Sequence, residues 1–324
     1  MTSFLGIDTS NYTTSAACCR ADGSGYNSSQ LLTVKSGELG LRQNEALFQH
    51  IKNLPQRFAE LREAGFLQDI AAVGASTQPR AVEGSYMPCF LAGASQGRIL
   101  AETLGVPFYA FSHQQGHIAA VCWAAKKLEL LDQPMLAWHL SGGTTELLLV
   151  VPENGNVRDA RNGGTTDISA GQLIDRTGQY LHLDFPAGKA LDKLAAQSDK
   201  KERFRVRMDS LQFSFSGIEN KVQKQVAQHK EPADIARFTL ETIASLVRRV
   251  TDRAMEQYPG LPVVCSGGVA SNSILRKYLY DAVFAPSAYS TDNAMGTAVL
   301  TARQMDWGGN RFYALRSDCR KIYF

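Results

Sequence analysis

Two histidines, His113 and His117, are the residues whose type and spacing best suit chemistry, in the stretch FSHQQGHIAA. Side chains four residues apart lie on one face of a helix, so the two imidazoles could bind one metal ion. Neutral imidazole is a common ligand of zinc and iron. A histidine pair without a third ligand is more often solvated or hydrogen-bonded. The pair therefore predicts a metal centre only if another part of the chain supplies a further ligand.

The best candidate for that ligand is Asp292, in the stretch AYSTDNAMGTAVLTA. It lies in a polar turn that precedes a helix rich in alanine. A site of two histidines and one carboxylate leaves coordination positions open for substrate, which is typical of a catalytic metal. The alternative is that Asp292 only caps the helix.

The elements around these residues form a repeated pattern. FLGIDTS followed by NYTTSAACC predicts a hairpin with hydroxyl groups at its tip, and Met135 to Val151 predicts a second hairpin around SGGTTE. A third glycine turn, SGG at 266–268, follows a strand and precedes a helix opened by Ser271 or Asn272. The recurrence suggests an internal duplication.

Helical stretches separate these turns, at 40–61, 88–105 and 232–258. The chain twice shows a hairpin followed by helices and strands that cross over. This repeated order predicts an α/β protein with the actin-like ATPase (ASKHA) fold, which has two related lobes and a nucleotide cleft. We predict one lobe from 1–118 plus 295–324, and a second lobe from 119–294.

Glycine turns let backbone N–H groups approach phosphate, and a helix N-terminus adds a favourable dipole. One SGG alone is more typical of a tight turn, but two in corresponding halves favour a nucleotide site. Asp175 could accept hydrogen bonds from ribose, and Gly188 could let the backbone pass close to a sugar. The alternative for Asp175 is an acidic residue on the surface of a helix. Asn272 could contact the nucleoside or cap a helix.

Composition sets the broad class. With 324 residues, 44% hydrophobic and 20% charged, the chain can form two globular domains without disulfides. Its six cysteines show no CxxC pair, and no apolar leader or long uncharged apolar run is present. We therefore expect a reduced, cytoplasmic protein that does not enter a membrane.

A net charge of +3 does not by itself indicate nucleic-acid binding. The local exception is a basic run, which we interpret as a solvated, partly extended surface, with an RNA-contacting patch as the alternative. The run comprises Lys200, Lys201, Arg203, Arg205 and Arg207.

The whole set of motifs resembles the threonylcarbamoyl-transferase family (TsaD in bacteria), once described as O-sialoglycoprotein endopeptidases. The resemblance rests on GIDTS, HQQGH, SGGTTE, the block from DISAGQ to ALDKLA, FSFSG at 213–217, SGGVASN at 266–272 and STDNA. It implies an actin-like fold and the transfer of a threonylcarbamoyl group from its adenylate to N6 of adenosine 37 in tRNAs that read ANN codons. It also implies tRNA as partner, together with a smaller TsaB-like paralogue and an ATPase, and it implies no DNA.

The resemblance assigns roles to particular residues. His113, His117 and Asp292 match the family's ligands for one divalent metal ion, iron or zinc. The positions that match the binding site for the adenine nucleotide are Leu140, Ser141, Gly142, Gly143, Asp175, Gly188 and Asn272. We add Thr144, Gly267 and Gly268 to the nucleotide contacts, and predict Asp8 and Thr13 as catalytic residues.

Three loops depart from the family's pattern. After GIDTS the family's Cys-Asp-Glu-Thr turn is replaced by residues 11–14, Asn-Tyr-Thr-Thr, and the histidine after SGG is replaced by Thr144. A glycine-proline-glycine turn is replaced by a longer loop that adds Arg80 and Glu83. These changes predict a divergent paralogue. Two further hypotheses are a carbamoyltransferase that acts on another acceptor and a non-catalytic nucleotide-binding partner of a true transferase. No Ser/His/Asp triad is present, so we do not expect proteolysis.

Overall fold

A computed structural model describes residues 1–10, 12–34, 41–286, 289 and 294–307. The chain divides into two compact units. Unit 1 comprises the described residues within 1–133, 151–159 and 292–324, and unit 2 comprises those within 134–150 and 160–291.

Unit 1 is built on a five-stranded sheet with the order β3-β2-β1-β4-β5. Its central strand β1 is buried at every position, as expected for a strand that is covered on both faces. The strands are β1 Ser3–Asp8, β2 Thr13–Arg20, β3 Gly25–Leu31, β4 Ile70–Gln78 and β5 Phe108–Ser112. The helices are α1 Gln43–Glu63, α2 Phe90–Leu104, α3 His113–Ala124 and α9 Met295–Trp307, and a 3-10 turn covers Leu128–Asp132.

Helix α3, which carries the histidine pair, packs directly on α9. A Cβ atom at Gly296 would lie 1.7 Å from the carbonyl oxygen of Gly116, so the two helices touch backbone to backbone. Only glycine at 296 allows this approach. The contact fixes the position of the helix turn between His113 and His117.

Unit 2 is built on a seven-stranded sheet with the order β12-β11-β6-β7-β8-β10-β9, and strands β7 and β8 continue into residues that belong to unit 1. Its core is apolar and includes Trp138, Leu173 and Val247. The strands are β6 Met135–Leu140, β7 Thr145–Glu153, β8 Asn156–Thr165, β9 Met208–Asp209, β10 Gln212–Phe213, β11 Val263–Ser266 and β12 Val283–Phe284. The helices are α4 Ala170–Tyr180, α5 Gly188–Ala195, α6 Ser216–Ala227, α7 Pro232–Gln257 and α8 Ser273–Tyr278, and a 3-10 turn covers Gly268–Ser271.

The two sheets repeat one topology. Strands β8, β7, β6, β11 and β12 follow the order of β3, β2, β1, β4 and β5. The middle strand of each set, β1 or β6, pairs antiparallel with the strand that follows it in the hairpin, β2 or β7. It pairs parallel with the strand on its other side, as in β1 with β4 and β6 with β11. The predicted internal duplication is confirmed.

The local predictions also agree with the structure. The three predicted helical stretches correspond to α1, α2 and α7, and α8 is opened by Asn272 rather than Ser271.

The lobe boundary predicted after residue 118 falls inside α3, and the structure places 119–133 in unit 1. No helix in the described ranges is long and apolar enough to cross a membrane.

Candidate functional site

Helix α3 begins at His113 because Ser112 caps it. The Ser112 hydroxyl accepts a hydrogen bond from the Gln115 backbone at 3.2 Å, and the Gln115 side chain accepts one from the Ser112 backbone at 2.9 Å. This reciprocal capping box fixes the first turn of the helix. It places His113 in the first turn and His117 one turn later, with the His113 side chain 16% exposed and His117 buried.

The two imidazoles point their Nε2 atoms at each other, 2.9 Å apart. Two nitrogens that each lie about 2.0–2.1 Å from one ion are about 2.8–3.0 Å apart at a right angle and about 3.3–3.4 Å apart at the tetrahedral angle. The observed separation is a hydrogen-bond distance, and it matches two neighbouring ligands of a single metal ion at a right angle. The arrangement predicted from the four-residue spacing is present.

The third predicted ligand, Asp292, lies outside the described residues. Among the residues that the structure describes, no group of three or more His, Cys, Asp or Glu side chains forms a potential metal site. His113 and His117 could hold a metal ion, and the complete set of three ligands stays a prediction.

Asp8 orients His113. Its carboxylate lies 2.8 Å from Nδ1 of His113, and because a carboxylate only accepts, it holds the imidazole proton on Nδ1 and leaves Nε2 as a lone-pair donor. Ser76 and the Ser10 backbone also donate to Asp8, at 2.5 and 2.9 Å. Burial alone would raise the pKa of Asp8, but the positive charge that His113 carries when it is protonated, together with these hydrogen bonds, outweighs burial and lowers the pKa to about 2. Asp8, predicted as catalytic, is thus a buried carboxylate that positions a candidate ligand.

Thr13, the other predicted catalytic residue, starts β2. It is buried, and its backbone N–H donates to the Ser10 carbonyl at 3.2 Å. The next residue, Thr14, contacts Nδ1 of His50 at 2.8 Å, and burial lowers the pKa of His50 to about 4, with Asp8 opposing the shift. His50 is therefore neutral at pH 7. Sequence reasoning missed it because nothing in the local pattern of α1 marks this histidine, and the catalytic role of Thr13 stays a prediction.

The first glycine turn is closed by its own polar groups. The Ser141 backbone donates to the Thr144 carbonyl at 2.8 Å, and the Thr144 backbone donates to the Ser141 hydroxyl at 3.0 Å. Ser169, the cap of α4, donates to the Gly142 carbonyl at 2.6 Å and so fixes the turn against the N-terminus of α4. No described residue accepts a hydrogen bond from the N–H groups of Gly142 and Gly143, and both residues are exposed.

Three of the predicted glycines are not required by the protein's own packing. A Cβ atom at Gly142, Gly143 or Gly268 would meet no atom within 4 Å, and none of the three has a positive φ angle. Neither steric crowding nor backbone strain therefore demands glycine at these positions. Their bare backbone leaves room for the close approach of a ligand such as phosphate, and nucleotide binding at these glycines stays a prediction.

Gly267 differs from these three. Its φ and ψ angles are 89° and 160°, and a Cβ atom would lie 2.2 Å from the carbonyl oxygen of Leu140. This conformation is essentially restricted to glycine. Gly267 brings the end of β11 against the end of β6, where Leu140 is itself buried, and so sets the two SGG turns side by side. The role of Gly267 and Leu140 in nucleotide binding stays a prediction.

Asp175 links α4 to the start of α5. One carboxylate oxygen accepts from the Ala187 backbone at 2.9 Å, just before Gly188. Burial raises the pKa of Asp175, and this hydrogen bond partly offsets the shift. At Gly188 a Cβ atom would have one neighbour, Ile174, at 4.0 Å, so the backbone is open to a ligand.

Asn272 caps α8. Its side-chain oxygen accepts from the backbones of Ile274 and Leu275 at 3.1 and 2.9 Å, and its amide donates to Asp192 at 2.9 Å. Of the two interpretations left open by the sequence, the structure shows the capping role. A nucleoside contact by Asn272 stays a prediction.

Asp167 was missed by sequence reasoning. It accepts hydrogen bonds from the backbones of Phe215 and Ser216, at 2.8 and 3.0 Å, and from the hydroxyls of Ser214 and Ser216. Burial raises the pKa of Asp167, but these four bonds outweigh it and hold the pKa far below its usual range. The carboxylate thus joins the DISAGQ and FSFSG motifs, both of which stood out in the sequence without a stated contact.

A family model described as "TsaD: tRNA N6-adenosine threonylcarbamoyltransferase" matches residues 30–299. A tRNA N6-adenosine threonylcarbamoyltransferase of Chlorobium luteolum is 32% identical over 348 residues, which covers 94% of this chain and 93% of that protein. A protein of the same description from Streptococcus pneumoniae strain D39 is 30% identical over 268 residues, which covers 78% of this chain and 76% of that protein.

Two solved structures share the fold at low sequence identity. Component A of the Acidaminococcus fermentans (R)-2-hydroxyglutaryl-CoA dehydratase has a TM-score of 0.55 and 18% identity, and covers 95% of this chain and 100% of that chain. Full-length HypF in its phosphate- and nucleotide-bound form has a TM-score of 0.58 and 13% identity, and covers 94% of this chain and 46% of that chain. These likenesses confirm the predicted actin-like α/β fold.

Proposed function

The chain belongs to the family of tRNA N6-adenosine threonylcarbamoyltransferases, and from this premise we propose that it transfers a threonylcarbamoyl group from threonylcarbamoyl-adenylate to N6 of adenosine 37 in tRNA. The observation that carries the proposal is the pair of Nε2 atoms of His113 and His117, 2.9 Å apart, with Asp8 behind the first imidazole. Converging Nε2 atoms are what a shared metal ion requires, and without an ion the same 2.9 Å contact is a hydrogen bond that His117 donates to His113.

His113 and His117 would hold one divalent metal ion, iron or zinc, with Asp292 as the third ligand. Once bound, the ion would supply a Lewis acid able to polarise the carbonyl of the carbamoyl group. Asp8 keeps the Nε2 lone pair of His113 directed toward Nε2 of His117 and raises its basicity. Ser10 and Ser76 in turn fix the Asp8 carboxylate, so the imidazole orientation is set before any ligand binds.

Unit 2 would hold the adenylate. The exposed N–H groups of Gly142 and Gly143 could donate to its phosphate, and Asp175 could accept from a ribose hydroxyl. In the reaction the N6 amine forms a bond to the carbamoyl carbon and loses a proton, while the bond from that carbon to the phosphate oxygen breaks. AMP leaves with the electron pair, and the glycine N–H groups would stabilise the charge that develops on its phosphate.

Several further features of the proposal come from the family resemblance alone. They are a TsaB-like paralogue and an ATPase as partners, tRNA as acceptor, and no role for DNA. Cytoplasmic localisation stays a prediction from the cysteines, and it is supported by the five free, buried thiols of Cys18, Cys19, Cys89, Cys122 and Cys265.

A second candidate is a carbamoyltransferase that acts on another acceptor. The altered loops favour it. Thr144 stands where the family has a histidine, and the hydrogen bonds of the Thr144 backbone to Ser141 close the glycine turn. In the replaced loop at 78–88, the Arg80 backbone is bound by the Ser85 hydroxyl at 3.0 Å.

The test is to incubate the purified chain, with candidate partner proteins, with threonylcarbamoyl-adenylate and an ANN-decoding tRNA, and to quantify the modified nucleoside by mass spectrometry. We expect product from the wild type, none from His113→Ala, and wild-type amounts from His229→Ala, which removes an exposed histidine of unit 2. No product on any such tRNA, together with transfer to another amine acceptor, would select the second candidate.

A further inference from the structure

In unit 2 the basic run forms neither helix nor strand between 201 and 207, but its burial alternates as in an extended chain. Along it the side chains alternate, with Val206 buried and Arg205 and Arg207 exposed. Alternation of this kind places residues two apart on one face of an extended chain, about 6–7 Å from each other. The two arginines therefore project together from the surface while Val206 anchors the segment to the core.

Helix α7 adds arginines to the same place. Arg205 and Arg207 line a cavity of about 670 Å³ together with Arg249 and Arg253, which are four residues apart on one helix face. The cavity also contains two carboxylates, Asp252 and Glu256. We call this surface the arginine groove.

The two carboxylates are already engaged. Asp252 lies 2.7 Å from Nε of Arg248, and Glu256 lies 2.5 Å from Arg253. Among the described residues, Arg205, Arg207 and Arg249 have no carboxylate partner, and Arg249 donates only to the Val206 carbonyl, at 2.9 Å. Three guanidinium groups thus remain for an external anion.

The groove is fixed rather than loosely solvated. The Arg249 bond to Val206 and a 3.0 Å bond from the Phe204 backbone to the Thr242 hydroxyl hold the extended segment against α7. Burial lowers the pKa of Arg249. The nearby positive charge of Arg205 lowers it further, because the two like charges lie close together. An anion bound between the two would relieve this repulsion.

We propose that the arginine groove binds the phosphodiester backbone of RNA and, resting on the proposed function, that this RNA is the tRNA acceptor. Guanidinium groups bind phosphate through paired N–H donors, and an open row of them matches a polymer of phosphates better than one small anion. The contacts carry no base specificity, so they position the tRNA and leave recognition of the reacting adenosine to other residues.

The experiment measures binding of an ANN-decoding tRNA transcript by fluorescence anisotropy across a salt series, with no adenylate donor present. The test variant is Arg205→Ala with Arg207→Ala. The control is Lys224→Ala with Lys230→Ala, which removes the same charge from exposed positions outside the groove. Thermal melting verifies that both variants are folded.

We expect the test variant to bind tRNA roughly 100-fold more weakly, because it loses two charge-assisted hydrogen bonds, each taken at the low end of their usual strength. Its slope of log affinity against log salt should be smaller by about 1.4–1.8, the value for two lost phosphate contacts. In the transfer assay the KM for tRNA should rise while the rate at saturating tRNA stays unchanged. The control variant should match the wild type in every measurement.

Equal binding and equal salt slopes in the two variants would overturn the proposal, while the transferase function could still stand. Loss of RNA binding in the test variant, in a protein that modifies no tRNA, would support the groove and refute the proposed function. Unchanged RNA binding, with loss of binding to an acidic protein partner, would assign the groove to protein recognition and overturn the RNA proposal.

Discussion

Replacing Gly267 with alanine tests how the two glycine turns are built. The backbone at Gly267 adopts φ 89° and ψ 160°, and a Cβ atom would lie 2.2 Å from the Leu140 carbonyl oxygen. That oxygen belongs to the end of a buried central strand, β6, so it cannot move aside as a flexible side chain would. The substitution must shift the main chain of β6, β11 or both.

Two costs set the size of the effect. An alanine in this backbone region costs about 1–3 kcal/mol. Forcing a methyl group against a packed backbone adds about 1–3 kcal/mol. A destabilisation of about 3 kcal/mol is therefore expected, which corresponds to a fall in Tm of roughly 4–5 °C for a protein of 324 residues.

Gly268→Ala is the matched control, because it adds the same methyl group one residue later, where no atom lies within 4 Å and φ is not positive. Differential scanning calorimetry of both variants without ligand measures stability. Titration with a non-hydrolysable adenylate analogue, followed by calorimetry, measures affinity. We expect Gly268→Ala to melt like the wild type but to bind the analogue more weakly, because in the proposed site the methyl group would occupy space next to the phosphate.

The reasoning about Gly267 would be refuted by a Gly267→Ala protein that melts within about 1 °C of the wild type, less than the shift expected from 1 kcal/mol. Unchanged affinity in Gly268→Ala would refute the view that its open backbone serves a ligand. Equal loss of stability in both variants would show that the turn tolerates no side chain at either position.

Three other outcomes follow from the structure. His113→Ala should abolish binding of iron or zinc, and Asp8→Asn should weaken it about 10- to 100-fold, as measured by metal titration of the purified apoprotein. Asp167→Asn should lower the free energy of unfolding by about 1 kcal/mol at pH 7, after allowance for solvent screening. Because the pKa of Asp167 is lowered on folding, this deficit is complete above about pH 4 and should shrink as the pH falls further, a trend that urea titrations across pH will reveal. Finally, burial raises the pKa of Cys18 and Cys122 to about 12, so peptide mapping after treatment of the native protein with iodoacetamide at pH 8 should find neither labelled.

Features set by neighbouring residues could be predicted from the sequence. The hairpins, the long helices and the cap at Asn272 follow from apolar periodicity and from turn or capping residues. The spacing of His113 and His117 likewise predicted that their imidazoles would share a helix face, and their Nε2 atoms lie 2.9 Å apart. In each case the interacting groups are only a few residues apart.

Contacts between distant segments could not be predicted in this way. Asp8 and His113 meet because β1 ends beside the start of α3, and no spacing rule relates residues so far apart in the chain. The same holds for Asp167 and the FSFSG motif, which meet because β10 pairs with the end of β8. The sequence pattern made both motifs stand out, but only the strand order shows that a carboxylate of one motif accepts hydrogen bonds from the backbone of the other.

The two SGG triplets show why motif letters leave chemistry undecided. Read as sequence, both predict a glycine turn that binds phosphate, and both contribute glycines to the predicted nucleotide site. In the first, Ser141 and Thr144 close the turn from within, so Gly142 and Gly143 keep bare, exposed backbones. In the second, the chain passes directly beside Leu140 as it leaves β11, and that neighbour alone requires glycine at 267. The fold thus requires glycine at 267 but not at the adjacent 268, so only Gly268 should tolerate a methyl group without loss of stability.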